Sequence, residues 1–212
     1  GGVQPEVRVR PQFDKDGDSG LNATERKAAR EYIAANPTGR GGRGGGRGGR
    51  GGRGGPQEPP KPGEQIAPTD VKSYGKEPLY DAGTLRTLFF TFEDADWEKE
   101  MEEFHKTDIE LMSTLVVDGK TYRDVGVHFR GASSYSTVGA GFKRSLAVSL
   151  DAVHGDQTLL GFPTLNLINS HEDASFIRPI LYSRVAQDYL AAPRANLVRV
   201  VINGEDWGIY GR

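Results

Sequence analysis

The sequence contains no cysteine, so neither a disulfide framework nor a cysteine-ligated zinc site is possible. It also lacks any apolar run of the roughly 18 to 20 residues that a membrane-spanning helix needs. The formal net charge of −2 lacks the basic excess that is typical of dedicated nucleic-acid-binding proteins. These absences predict a protein without a membrane span and argue against nucleic acid as its main partner. They leave its oligomeric state open.

The composition divides the 212 residues into three zones. Residues 1–38 hold an acidic loop and a helical pattern, residues 39–68 are rich in glycine, arginine and proline, and residues 69–212 have the mixed composition of a globular domain. A chain of this length is long enough for one medium-sized domain and a small module. We therefore expect a module, a linker and a domain in that order.

The middle zone begins with an arginine–glycine tract, which has five arginines and no acidic residue between Gly39 and Gly55. Glycine at this density cannot bury enough apolar surface to offset its backbone entropy, so we predict a disordered linker over residues 39–68. Such tracts occur among proteins that bind single-stranded nucleic acid. No tyrosine or phenylalanine interleaves the repeats, however, which favours a flexible, soluble tether over an RNA-binding segment.

The first zone contains a twelve-residue stretch with the oxygen-rich pattern of an EF-hand calcium loop. Such loops need carboxylates at positions 1, 3 and 5, a backbone carbonyl at position 7, often a water at position 9 and a bidentate glutamate at position 12. The residues at those six positions are Asp14, Asp16, Asp18, Gly20, Asn22 and Glu25. The sequence therefore predicts a Ca²⁺ site in an EF-hand-like module, with a helix over Glu25–Ala35.

This loop departs from the EF-hand pattern in two ways. Position 6, where a glycine normally makes the sharp turn, is Ser19, and the prolines before Phe13 make a poor entering helix. The alternative interpretation is an acidic turn whose side chains cap the following helix. A single unpaired loop binds calcium weakly, with an affinity between micromolar and millimolar.

The third zone alternates strand-like and helix-like segments. β-Branched and aromatic runs predict strands at residues 84–92, 109–117, 122–129, 145–150 and 195–202, with a return strand from residue 207. Helical spacing of apolar residues predicts helices at 94–105 and 175–189. Asp118-Gly119 and Asn203-Gly204 are strong hairpin turns. The expected class is α+β, with a mainly antiparallel sheet and two helices.

Six motifs follow one another in a recognisable order in this zone. They read VHFRGASSY from Val127, FKRSL from Phe142, LNLINS from Leu165, DASFIR from Asp173, APRA from Ala192 and VINGEDWGIY from Val201. In this order they resemble the CotH kinase-like (spore coat protein H) family, over about residues 84–210.

The resemblance implies part of the amino-terminal lobe of an atypical protein-kinase-like fold. It also implies the use of ATP with Mg²⁺ or Mn²⁺, and phosphorylation of serine or threonine on secreted or coat proteins. Lys143, on a strand, would contact the nucleotide phosphates, and the loop from Arg130 to Gly141 would cover them with backbone N–H groups. Asn166, Asn169 and Arg178 would belong to the core around the following helix.

Each of these residues also has a structural interpretation: Lys143 flanks an edge strand, Arg130 forms an ion pair, and the asparagines satisfy turns. One departure from the family is Pro179, which stands where many members place an acid. The family continues beyond this strand into a second lobe that carries the catalytic and metal-binding acids. We therefore assign no catalytic residue and expect this chain alone to be catalytically silent.

We interpret the chain as a calcium-binding, CotH-like protein related to atypical kinases, secreted or displayed at the cell surface. Two alternatives remain open. One is a non-enzymatic coat or surface interaction protein, and the other is an RNA-associated protein that acts through the arginine–glycine tract. ATP binding that depends on Lys143 would separate the kinase-like interpretation from the first alternative. Salt-sensitive RNA binding that is lost on deletion of residues 39–55 would support the second.

Overall fold

The computed structural model describes residues 7–36 and 60–212. These residues form five α-helices and a single seven-stranded sheet. The helices are α1 (Arg10–Phe13), α2 (Ala23–Ala35), α3 (Trp97–Glu103), α4 (Ser133–Thr137) and α5 (Arg178–Ala186). The strands are β1 (Arg86–Phe92), β2 (Leu111–Val117), β3 (Lys120–Phe129), β4 (Leu146–Ser149), β5 (Thr164–Leu167), β6 (Leu197–Ile202) and β7 (Glu205–Gly211). None of the helices in these ranges is both long and apolar enough to cross a membrane.

The class is α+β, and the sheet is mixed. Its strand order is β5-β4-β3-β2-β1-β6-β7. β1 and β6 run parallel, while the other neighbouring strands are antiparallel. The predicted mainly antiparallel sheet with two helices matches only loosely, because α4 is a third helix within the described residues 69–212. Local turn signals cannot predict a parallel pair between distant segments, and the Ser-rich sequence of α4 has no apolar period.

Both predicted hairpin turns are present. Asp118 and Gly119 take φ of 52° and 78°, and Asn203 and Gly204 take φ of 50° and 85°. Positive φ at both central positions defines the type I′ turn, which matches the twist of the strands it joins. These turns connect β2 to β3 and β6 to β7, so the two local hairpins lie on either side of β1.

A buried arginine fixes the start of β1. Arg86 is 1% exposed and donates from Nε to Asp118 Oδ2 at 2.7 Å. Its Nη atoms donate to the backbone carbonyls of Tyr74, Glu77 and Pro78 at 2.7, 2.6 and 2.8 Å. A buried guanidinium is tolerated when its donors are paired in this way. Arg86 therefore ties the irregular chain before β1 to the β2–β3 turn.

Residues 7–36, called here the loop module, pack directly on the sheet domain, residues 69–212. Val7 forms a parallel bridge with Thr107, and the backbone N–H of Val9 donates to Asp108 Oδ1 at 2.6 Å. The side chains of Leu21 and Ala29 belong to the same apolar cluster as the core of the sheet domain. Residues 7–36 and the sheet domain thus share one core.

The end of the predicted linker lies against the sheet. Gln65 forms an antiparallel bridge with Glu205, and the N–H of Ile66 donates to the carbonyl of Gly204 at 2.8 Å. Gly63 passes so close to β7 that a Cβ atom there would lie 2.1 Å from Asp206 O. Residues 60–68 therefore have defined structure where the sequence predicted disorder, because their backbone groups pair with an edge strand. Residues 39–59 lie outside the described residues.

Candidate functional site

A cavity of about 480 Å³ opens between the end of β3, the end of β5 and the start of α5. Residues that line it include Arg130, Ser145, Asn169, Ser170, His171 and Arg178. Arg130 directly follows β3, while Asn169 and Ser170 follow β5. The ends of β3 and β5 and the start of α5 thus bring Arg130, a predicted nucleotide contact, together with Asn169 and Arg178, which were predicted to belong to the core around the following helix.

Asn169 joins the two sides of the cavity wall. It is 2% exposed, and its Oδ1 accepts from Ser145 Oγ at 3.2 Å. Its Nδ2 donates to the carbonyl of Lys143 at 3.0 Å, and its backbone N–H donates to Ser145 Oγ at 3.0 Å. These bonds use much of the amide's capacity, so Asn169 holds the approach to β4 against the end of β5.

The cavity is rich in hydrogen-bond donors. Among the described residues, Arg130 has no side-chain carboxylate partner, and the Arg178 side chain is 77% exposed with its Nε 3.5 Å from Asp173 Oδ1. Ser170 is 8% exposed, takes a left-handed φ of 52°, and its buried Oγ has no hydrogen-bond partner among the described residues. A planar guanidinium group can donate two parallel hydrogen bonds to the oxygens of one carboxylate or phosphate. The arrangement therefore suits an anion.

The ammonium group of Lys143 lies beside two aromatic rings, outside the set of residues that line the cavity. Lys143 precedes β4 rather than lying on a strand, and it is not among the residues that line the cavity. Its Nζ donates to the carbonyl of Ile209 at 2.5 Å and lies 4.4 Å from the ring centre of Phe176 and 5.0 Å from that of Tyr210. Burial lowers the pKa of this ammonium group to about 8. Phosphate contact by Lys143 stays a prediction.

The carboxylates of the acidic loop, residues 14–25, accept hydrogen bonds from the loop's own backbone N–H groups. Asp14 Oδ1 accepts from the N–H of Gly17 at 2.7 Å, and Asp18 Oδ1 accepts from the N–H of Gly20 at 2.7 Å. Carboxylate oxygens of Asp14, Asp16 and Asp18 lie within 4.8 Å of one another. The three carboxylates are thus close enough for one cation, the first requirement of the predicted Ca²⁺ site.

Ser19 takes the conformation that the loop needs. Its φ is 73°, the left-handed region in which EF-hands place glycine at position 6. Asp14 Oδ2 accepts from its backbone N–H at 3.1 Å, which supports this turn. Ser19 therefore adopts, at the energetic cost of a left-handed conformation, a backbone turn that is normally made by glycine.

The end of the loop is also the start of α2. Asn22 Oδ1 accepts from the N–H groups of Thr24 and Glu25, while the Glu25 carboxylate accepts from the N–H groups of Lys15 and Asn22 at 2.8 and 3.0 Å. This is a capping box. The helix-capping interpretation and the calcium interpretation thus use the same residues, and calcium binding stays a prediction.

A second acidic cluster, Asp94, Asp96 and Glu100, meets arginines. Arg26 donates to Asp94 and Glu100 at 2.9 and 3.0 Å, and Arg30 donates to Asp96 at 3.1 Å. Guanidinium groups therefore balance the charge of this cluster.

The comparison with known families concerns the part of the chain that holds the cavity. Residues 127–212 match the family model of the CotH kinase protein. This part of the chain is CotH-like. The match runs from the end of β3 through β7 and includes Arg130, Lys143, Asn169 and Arg178. No curated protein matches the chain. The predicted resemblance to CotH is supported for the carboxyl-terminal part, as similarity to a kinase-related family.

Sequence reasoning missed Ser170 and His171 as cavity residues. Both follow the asparagine of the LNLINS motif, so their place beside a predicted site residue was a usable signal. It also missed Arg26 and Arg86, whose partners lie far along the chain. Asn166 is exposed on β5 and lines a separate cavity with Arg194 and Arg212.

Proposed function

We propose that the CotH-like part of this chain is the nucleotide-binding lobe of a kinase-related protein. The observation that carries the proposal is the donor-rich cavity, in which Arg130, Arg178 and the unpaired Oγ of Ser170 meet within the matched residues. Two guanidinium groups and a hydroxyl are suited to the phosphate oxygens of ATP. In the whole protein, the corresponding activity would be phosphorylation of serine or threonine on a secreted or coat protein.

The described residues fit a phosphate better than a divalent metal. Of the two carboxylates that line the cavity, Asp173 already accepts from Ser175 Oγ and from the N–H of Arg178. The other, Glu172, is exposed and lies 3.8 Å from His171 Nε2, whereas Mg²⁺ and Mn²⁺ prefer several oxygen ligands. The Mg²⁺ or Mn²⁺ would neutralise phosphate charge, and Arg130 and Arg178 would orient the phosphates from the protein side.

Calorimetric titration of Mg-ATP tests the nucleotide proposal. We expect saturable binding to the chain and a loss of roughly tenfold or more in affinity for Arg130→Ala, because a hydrogen bond to a charged group contributes about 1.5–3 kcal/mol. Arg123→Ala is the matched control, since Arg123 is exposed on β3, the strand that Arg130 follows. Binding that is equal in both variants would contradict a role for the cavity.

We further propose that residues 14–25 bind Ca²⁺. The proximity of the three aspartates and the carboxylate of Glu25 at the start of α2 support this assignment. Calcium titration of Glu25→Gln tests it, with Glu31→Gln as the control because Glu31 is exposed on the same helix. We expect saturable binding that the first variant loses and the second keeps. Equal calcium heats for both variants would contradict the assignment.

A second candidate function is a non-enzymatic interaction protein at the cell surface. One observation favours it: α5 and the residues after it expose large apolar side chains, including Leu181, Tyr182 and Tyr189 at 54, 69 and 83%. A chain that binds no Mg-ATP yet captures coat proteins through these residues would support this function.

Secretion is part of both proposals. RNA binding through residues 39–55 also stays a prediction, and these residues lie outside the described ranges.

A further inference from the structure

Helix α3 carries acidic side chains that contact two different parts of the molecule. Glu100 and Glu103 contact α2 of the loop module. Glu98 and Glu102 contact residues of the loop between Arg130 and Ser145, called here the cavity loop. Spacings of three and four residues place each pair on one side of a helix. α3 therefore lies between the loop module and the cavity loop.

The contact with the module is centred on Arg26. Its side chain is 5% exposed, and that of Glu100 is 2% exposed. Arg26 Nε donates to Glu100 Oε1 at 3.0 Å, and Nη2 donates to Glu93 at 3.0 Å. Its Nη1 reaches back to the carbonyl of Leu21, inside the calcium loop, at 3.1 Å. One guanidinium thus links the loop to α3, and its removal would leave a buried carboxylate unpaired.

The contact with the cavity loop has three parts. The N–H of Gly141 donates to Glu98 Oε1 at 2.7 Å, and Arg144 donates to Glu102. Just beyond α3, the ring of His105 stacks on Tyr135 with ring centres 3.6 Å apart. The cavity loop is therefore attached along one side of α3 and its carboxyl-terminal end.

We propose that α3 couples the loop module to the cavity loop, so that docking of α2 through Arg26 keeps the cavity loop ordered. A shift of α3 would move Glu98 and Glu102 away from Gly141 and Arg144, and Arg130 begins the same loop. The consequence for ligands rests on the proposed function: calcium bound at residues 14–25 would favour the ordered cavity loop and so favour nucleotide. By linkage, nucleotide would favour calcium equally.

Hydrogen exchange of the full chain, read by mass spectrometry, tests the coupling. We expect peptides within residues 131–145 to exchange roughly tenfold faster in Arg26→Ala than in the unchanged chain. Lys27→Ala is the matched control, because Lys27 is exposed on the same helix. Faster exchange in residues 93–103 with no change in 131–145 would overturn the proposal.

Two further variants keep the test decisive. If Arg26→Ala does not fold, Arg26→Lys keeps the charge while losing the forked contacts, and the same result is expected. Glu98→Gln weakens the hydrogen bond from Gly141 while leaving the Arg26–Glu100 contact in place, so it should also speed exchange in residues 131–145. Equal exchange across these variants and the unchanged chain would overturn the coupling.

Hydrogen exchange measured with and without Ca²⁺ provides a second, independent test of the coupling. Added Ca²⁺ should slow exchange in residues 131–145 of the unchanged chain and have no such effect in Arg26→Ala. Calcium that binds and protects only the module would overturn the coupling. If the chain binds no calcium, the proposed calcium site fails, and the Arg26 comparison alone decides the coupling.

Discussion

The environment of Lys143 leads to a quantitative prediction about its reactivity. Its ammonium group is removed from water beside Phe176 and Tyr210, and burial lowers its pKa from 10.5 to about 8. Raising the pH therefore deprotonates Lys143 well before an ordinary lysine. At pH 7.5 the reactive neutral fraction is roughly 200-fold larger than it would be at the unperturbed pKa. A bound phosphate nearby would raise this pKa again, so Mg-ATP should lower the reactivity.

Competitive labelling with an amine-reactive reagent, followed by peptide mass spectrometry, measures this reactivity as a function of pH. Lys99 is the internal reference, because its side chain is 70% exposed on α3. We expect the labelling of Lys143 to reach its midpoint near pH 8. A midpoint at or above pH 10, close to the unperturbed value of 10.5, would refute the reasoning.

Three other predictions follow from buried or strained groups. Arg86→Ala should lower the free energy of unfolding by about 3–5 kcal/mol, since it removes the charged partner of Asp118, whose side chain is 11% exposed, and the donor to three backbone carbonyls; chemical denaturation measures this, and a loss below about 1 kcal/mol would contradict it. Burial lowers the pKa of His105 from 6.5 to about 4. Between these two pH values the unfolded chain therefore binds a proton at His105 that the folded chain does not bind. Stability should therefore fall by roughly 1–3 kcal/mol as the pH drops through this window, and urea titrations should show a shallower fall in His105→Gln. Ser19→Gly should relieve a left-handed conformation that costs roughly 1–2 kcal/mol, offset in part by the larger backbone entropy of glycine, and so raise the Tm by about 2–4 °C; a lower Tm would contradict this.

The local elements of the sheet domain could be predicted because their signals lie within a few residues. The run at residues 84–92 contains β1, and the run at 109–117 contains β2. The Asp-Gly and Asn-Gly turns fix their hairpins, since few other residues adopt two successive positive φ values cheaply. The helix ends were less accurate: the segment predicted at 175–189 forms α5 only over Arg178–Ala186, which starts beside Pro179.

The long-range features could not be predicted in this way. The parallel pairing of β1 with β6 joins segments that no short motif relates. The docking of the loop module depends on Arg26 meeting Glu93, Asp94 and Glu100, and an arginine on a helix ordinarily indicates a solvated face. For the candidate site, the motifs predicted Arg130 and Lys143; Arg130 lines the cavity, whereas the direction of the Lys143 side chain depends on the packing of Phe176.

Amide chemical-shift mapping of the labelled chain during a titration with Mg-ATP decides whether the CotH-like part binds the nucleotide phosphates in the Arg130 cavity. We expect saturable shifts concentrated at Gly131, Ser145, Asn169 and Ser170, and their loss in Arg130→Ala. Saturable shifts concentrated elsewhere, for example around Tyr80 and Arg194, would contradict binding in this cavity, as would a spectrum that Mg-ATP leaves unchanged.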